Sequence, residues 1–426
     1  MSNIADSIRK LDPQIRRART TTATLKVLKE DNTPLANQEI MIGQTKHQFL
    51  FGCNGFDFVP YANDETAGKE RERIEELSVK FLNLFNFATL PFYWARFELN
   101  AGNPDTKRLK NTARWCLEHN LLVKGHPLSW HTLAPDWLLS LSNPEILAAQ
   151  LERIQREVTG FKGLIDMWDV INEVVIMPIF DKYDNGLTRI CKELGRIKTI
   201  HRVFEAARAA NPDAVFLLND FDVSPAYDIL VEGCLSAGIK IDVLGIQSHM
   251  HQGYWGVDKT QYILEQFTRF KLPIHFTETT IISGALMPPE LEDLNDYQVT
   301  DWPTTPAGEE RQVREVLLHY KTLFAHPLVE GITWWDFSDG KWLNAPCGLV
   351  RKDGSVKPAY EELLKLVKGE WWVAPIKFLT DQDGKVEFCG FFGDYELSCS
   401  GRKALFTLSK QGAAEIKVKI SETYAE

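Results

Sequence analysis

"WDVINEVV", residues 168–175, decides how the chain is read. Trp168, Val170 and Ile171 read as a buried strand. Asn172 and Glu173 then stand side by side before Val174 and Val175. A glutamate at the edge of an apolar run has to have something that offsets its desolvation. Working outward, short apolar runs of the same kind occur at 49–53, 85–89, 122–126, 214–219, 242–247, 273–277 and 331–335, which with 167–172 makes eight. Helical patterns lie between them at 66–84, 105–120, 144–160, 187–210, 226–238, 258–270 and 306–325, and an eighth follows at 358–368. Cap signals open two of these, "SNPE" at 142–145 and "DKTQ" at 258–261. Strands alternating with helices imply right-handed βαβ units and a parallel sheet. Eight such units predict an α/β protein whose sheet closes into a (β/α)8 TIM barrel.

Residues 48–370 are assigned to that barrel. Residues 1–47 supply an N-terminal extension and strands around the turn "KEDNTP"; residues 371–426 supply further strands, with "TDQDGK" read as a hairpin turn between "PIKFL" and "VEFCGFF". Each segment is too short for a good core alone. The expectation is one small β-sandwich-like accessory module, formed by the two chain ends and packed on the barrel.

The 426 residues are 44% hydrophobic and 25% charged, ordinary for a globular chain. The formal net charge of −10 leaves no basic surplus to neutralise phosphates, which argues against nucleic-acid or anionic-membrane partners. The one basic cluster, "IRRAR" at 15–19, reads as a solvated face. No apolar stretch reaches transmembrane length and no secretory leader is visible. The seven cysteines form no CxxC pair, so no zinc or redox motif is indicated. Free thiols suit a reducing cytoplasm; a trimmed leader would instead imply secretion. Neither a cofactor nor a metal is expected, and the oligomeric state is open. The twelve tryptophans suit stacking on sugar rings, though most tryptophans are core.

In a barrel of this kind the active site lies at the C-terminal face, so polar residues ending strands carry the chemistry. They are His126 with Trp130 and His131; Asn172 and Glu173; Asn219 and Asp220; Gln247 with His249; Glu278; and Trp334 and Trp335 with Trp342. Two carboxyls facing each other among aromatic platforms and hydroxyl-binding donors suit glycoside hydrolysis. Taken singly, each glutamate reads equally well as an ion-pair partner, and each histidine as a buried hydrogen-bonded one. Their convergence at strand ends favours the catalytic reading.

"GHPLSWHTLAPDWL" (125–138), "WDVINE" (168–173), "LGIQSHM" (244–250), "IHFTE" (274–278), "GITWWDFSDGKW" (331–342) and "GLVRKDGSVKPAY" (348–360) stand in an order and spacing that resembles glycoside hydrolase family 10, chiefly endo-β-1,4-xylanases. The resemblance covers roughly 48–370. It implies a retaining enzyme with Glu173 as acid/base and Glu278 as nucleophile. It implies that Asn172 holds the sugar 2-hydroxyl and that His126, Trp130, Gln247, His249, Trp335 and Trp342 line the cleavage subsite. Glu173 then has to stay protonated near neutral pH, which an apolar setting favours. Glu278 is expected to be ionised and oriented by His249 and Gln247.

Two departures stand out. The family's Glu-Asn pair and lysine after the second strand, which grip the non-reducing side of the chain, align with Thr89-Leu90 and Tyr93; its Leu-Asp after the nucleophile aligns with Thr279-Thr280. Tyr93 is therefore counted among the substrate-binding candidates. The reading is a retaining β-glycoside hydrolase, first an endo-1,4-β-xylanase acting on a β-linked polysaccharide or oligosaccharide. One rival keeps the fold and changes the glycan to a different or decorated β-linked one; the other is a carbohydrate-binding protein without catalysis.

Overall fold

The structure, a computed structural model, describes residues 2–409 and 415–420, with side chains from residue 11. The strands expected within 410–414 and 421–426 lie outside the described residues. In chain order the strands are Thr20–Leu28 (β1), Glu39–His47 (β2), Leu50–Asn54 (β3), Phe87–Pro91 (β4), Leu122–His126 (β5), Met167–Asn172 (β6), Val215–Asp220 (β7), Val243–Met250 (β8), Ile274–Ile281 (β9) and Val329–Trp334 (β10). Ile376–Leu379 (β11), Lys385–Phe391 (β12), Gly393–Cys399 (β13), Arg402–Leu408 (β14) and Glu415–Lys419 (β15) follow.

Strands β3 to β10 close into one barrel in sequential order, as the eight apolar runs predict. They are parallel, and strands covered on both faces read as near-continuous apolar runs. Every residue of β9 is buried, threonines and glutamate included. Trp168 of β6 is fully buried, and its ring lies where a Cβ at Gly125 would stand, 2.2 Å away, so β5 carries glycine there. A large ring buried this way contributes about 1.5–3 kcal/mol relative to exposure.

The helices between strands match the periodic segments with two differences. The segment expected as one helix over 187–210 is two, Gly186–Leu194 and Arg196–Ala210, broken at Gly195. Gly195 has φ +79°, a conformation that a residue with a Cβ adopts only under strain. The helix over 258–270 begins earlier, at Gly256, so "DKTQ" lies inside its first turns; Ser142 and Glu145 do form a capping box at the helix Asn143–Gly160.

The chain divides into two compact units: Phe51–Glu315 with Leu328–Lys357, and Met1–Leu50 with Val316–Pro327 and Pro358–Glu426. In the second unit β1 pairs antiparallel with β12 and parallel with β15. Strand β2 pairs with β11 and β13 in a separate sheet ordered β11-β2-β13-β14. The two sheets share one apolar core that includes Leu25, Val27, Ile42, Tyr395 and Leu397. The expected hairpin at "TDQDGK" is corrected: β11 and β12 belong to different sheets, so this turn passes the chain between them. Asp381 Oδ1 accepts from the Asp383 and Lys385 amides, and Gly384 at φ +71° bonds to Val27, which fixes the crossing. One reading at the N-terminus also changes in part: Arg16 and Arg17 of the basic cluster are exposed as expected, and Arg19 is not. A helix, Ser2–Arg19, precedes β1, and Arg19 is buried. Its guanidinium donates to the carbonyls of Phe324 (2.7 Å) and His326 (2.6 Å).

Candidate active site

The mouth of the barrel is built from the ends of β4 to β10. A register shift in β6 between Asp169 and Ile171 precedes the turn that carries Asn172 and Glu173 out of the sheet. Glu173 has φ +56°, in the left-handed region that non-glycine residues seldom adopt. Three contacts hold it there. The Glu173 amide donates to Asn219 O (2.9 Å), the next amide but one, Val175, donates to Asp220 Oδ2 (3.0 Å), and Arg196 Nε donates to the Val175 carbonyl (2.8 Å). Strain at a site so over-determined is characteristic of functional positions.

Side-chain donors converge on Glu173. Trp130 Nε1 donates to Oε2 (2.8 Å), while Asn172 Nδ2 (3.0 Å) and Gln247 Nε2 (3.1 Å) donate to Oε1. Burial and the charge of Glu278 outweigh these bonds and push the Glu173 carboxyl up to about 8. Glu278 behaves in the opposite way. Burial alone would raise it, but the charges and hydrogen bond of His126 and His249 hold it below the usual glutamate value. His249 Nε2 donates to Oε2 (3.0 Å), Asn219 Nδ2 donates to Oε1 (3.1 Å), and His126 Nε2 lies 3.8 Å from Oε1.

Of the remaining candidates, Trp334 is fully buried and its Nε1 donates to the Cys347 carbonyl (3.1 Å). His126 Nδ1 donates to Asp169 Oδ2 (2.7 Å), which also pairs with buried Lys124 (2.6 Å). Burial would raise Asp169, yet Lys124 and His126 keep it ionised below its ordinary value. That fixes the outer nitrogen of His126 toward Glu278. Trp335 stands edge-on to His126, His249 and Phe56, with ring centroids 5.4, 6.1 and 5.5 Å away. Trp342 packs on His249 at 4.6 Å. Tyr93 packs against His126 (5.7 Å) and Trp130 (5.6 Å). Thr89 and Leu90 are instead fully buried inside β4. Thr280, substituted after the nucleophile, bonds His249 Nδ1 through its hydroxyl (3.4 Å).

Gln247 is placed differently from expectation. A register shift between Ile246 and Gln247 directs its amide to Glu173 and to Asn172 Oδ1 (3.2 Å), and Asn219 serves Glu278 in its stead. Asn219 also donates to Asn172 Oδ1 (2.7 Å), so one amide chain links the two glutamates. A Cβ at Gly245 would meet Asn219 Oδ1 at 2.4 Å, which explains the glycine beside it. Asn219 and Asp220 are visible in the sequence as strand-end polar residues. Lys124 and Asp169 carry no such signal, because they sit inside strands.

The family model described as Glycosyl hydrolase family 10 matches residues 91–366. Endo-1,4-beta-xylanase C of Paenibacillus barcinonensis is 28% identical over 311 residues, covering 63% of this chain and 27% of that protein. Anti-sigma-I factor RsgI6 of Acetivibrio thermocellus is 24% identical over 397 residues, covering 90% of this chain and 45% of that protein. The chain thus spans less than half the length of these two relatives. Among solved structures, xylanase 10B from Thermotoga petrophila in complex with xylobiose superposes with a TM-score of 0.60 at 20% identity, covering 76% of this chain and 95% of that one. The GH10 structure from Paenibacillus barcinonensis gives 0.62, also at 20% identity, over 75% of this chain and 95% of that one. At that identity the likeness bears on the barrel fold.

Proposed function

The chain belongs to glycosyl hydrolase family 10, and from that premise we propose that it is a retaining endo-1,4-β-xylanase-like enzyme acting on xylan or xylooligosaccharides. Glu278 attacks the anomeric carbon, and Glu173 protonates the leaving oxygen and then activates water. The observation that carries this reading is the opposite displacement of two carboxyls in one mouth, Glu173 up to about 8 and Glu278 below its ordinary range. Environments that push paired carboxyls apart assign the acid and the nucleophile. The test is the product profile on a panel of β-linked polysaccharides, with product anomers followed by NMR. Retained anomers from xylan support the reading. Inverted anomers, or a carboxyl separation well beyond the roughly 5–5.5 Å of retaining enzymes, contradict it.

The rival reading from the sequence, glycan binding without turnover, is separated by one measurement. Ligand-induced tryptophan quenching by xylooligosaccharides with no product formed would support that instead.

The pH dependence follows from the same pair. Activity requires Glu278 ionised and Glu173 protonated. The rate is therefore expected to rise as pH passes upward through the depressed Glu278 value, to hold across neutrality, and to fall as Glu173 loses its proton near 8. A kcat/KM profile on one soluble substrate checks this; an alkaline limb already falling near pH 5 would contradict the assignment of Glu173.

Tyr93 sets a further expectation. In the sequence it aligns with the family's lysine, which the resemblance implies donates to sugar hydroxyls. An unpaired buried polar group costs about 1–3 kcal/mol, so kcat/KM on undecorated linear xylan is expected to be roughly ten- to a hundredfold lower than in members with the lysine. Tyr93→Lys should recover about tenfold on linear xylan. An unchanged ratio between linear and substituted xylan in that variant counts against Tyr93 as a specificity residue.

A further inference from the structure

Two loops leave the strands that carry the glutamates. One, after β6, runs through Lys182 to the helix at Gly186. The other, after β9, runs from 282 to 305 before the helix at Pro306. The second is long and packed. Ile282, Met287 and Trp302 form an apolar cluster with Ala345 and Cys347. Gln252, beyond β8, holds this loop through the carbonyls of Pro288 (2.9 Å) and Leu291 (2.8 Å).

The tip of this loop touches two sides of the mouth. Asn295 Oδ1 accepts from Trp342 Nε1 (3.2 Å), and Trp342 packs on His249, which holds Glu278. On either side of Asn295, Asp293 and Asp296 pair with Lys182 at 2.6 and 2.7 Å. The loop beyond Glu278 is therefore tied to the loop beyond Glu173. Between those strands lie β7 and β8, whose own connections to the next helices are short, from Asp220 to Pro225 and from Met250 to Gly256. With such short connections, β7 and β8 carry no long loop of their own beside the tie.

We propose that Lys182, Asp293 and Asp296 tie these loops into a strap that closes the β7–β8 end of the cleft and restricts substrates to short oligosaccharides and chain ends. The proposal rests on the reading above for the β-1,4-xyloside substrate and the retaining chemistry, and it replaces attack within long chains by attack on short oligosaccharides and chain ends. Its chemistry is steric at the far sugar units and leaves bond cleavage untouched. The tie is made of exposed charges, so salt weakens it. Single exposed pairs are weak, but here one ammonium meets two carboxylates on a loop already braced by an apolar cluster.

The test is a charge series, Lys182→Ala, Lys182→Glu, and Lys182→Glu combined with Asp293→Lys and Asp296→Lys. The readout is kcat/KM on polymeric β-1,4-xylan divided by kcat/KM on an aryl β-xylobioside. We expect the ratio to rise about twofold in Lys182→Ala and several-fold in Lys182→Glu. It should fall back in the charge-swapped variant, and in the wild type it should rise with salt. Hydrogen exchange of residues 177–185 and 287–298, faster in Lys182→Glu, reports the strap without any substrate. Unchanged exchange across the series overturns the strap. Faster exchange with an unchanged ratio overturns the restriction on chain length. A wild type that cleaves no β-xyloside overturns the functional reading and the restriction with it, while the exchange result still decides whether the loops are tied.

Discussion

Glu278→Ala is expected to lower turnover of every glycoside by on the order of 10⁵-fold or more, whatever the leaving group. Removing the carboxylate removes the atom that forms the covalent intermediate, so activated and unactivated substrates lose the same step. The surroundings sharpen the expectation. His249 and Asn219 donate to this carboxylate, and His126 lies 3.8 Å from it. Water or another small nucleophile in the vacated space would attack from the same face in a single displacement, which inverts the anomeric centre. Azide should restore partial turnover with inversion at the anomeric centre. Glu278→Gln keeps the volume and serves as the folding control, with circular dichroism matched to the wild type. Turnover within a hundredfold of wild type in both variants would remove Glu278 from the nucleophile's role.

Glu173→Ala separates the two carboxyls. General acid catalysis contributes about 10²–10⁴-fold, and it is needed only where the leaving oxygen is basic. The variant should therefore lose that much on xylooligosaccharides, whose leaving group is a sugar hydroxyl. On an aryl glycoside whose phenol leaves without a proton, the first step should be nearly unaffected. The second step, activation of water, still suffers, so the glycosyl-enzyme should accumulate as a burst. Azide then restores the rate and yields a glycosyl azide of retained configuration. Equal losses on good and poor leaving groups, with no burst, would show that Glu173 does not carry the proton.

Much of this was legible in the sequence because it rests on local pattern. The eight strands are short apolar runs bounded by helical periodicity, and the glutamates stand where such runs end. The misses have distinct physical causes. Gly195 breaks a helix through its backbone conformation, which periodicity does not encode. The turn at "TDQDGK" has hairpin chemistry, but its flanking strands are claimed by β2 and β1 in different sheets, a long-range pairing that a local window cannot see. Asn219, to which the sequence assigned no role, takes the place at Glu278 expected of Gln247, because a register shift in the β8–β9 pair redirects the Gln247 amide. Lys124 and Asp169 sit inside strands that read as core, and only their mutual neutralisation makes that placement stable.

Strand β1 has its partners far away in the sequence: Lys26 lies opposite Lys385, and Leu28 opposite Lys419. Translation delivers these partners roughly 360 residues apart, an interval of about 20–70 s at ordinary elongation speed. Throughout that wait the apolar face of β1, with Leu25 and Val27, has no sheet to join, while the eight-stranded closure can proceed with successive neighbours as they emerge. Strand β1 is therefore made long before it can be seated in its sheet. A nascent chain stalled after β10 would present that strand as an open edge, and a holdase chaperone is expected to crosslink there and to release once β12 has left the ribosome.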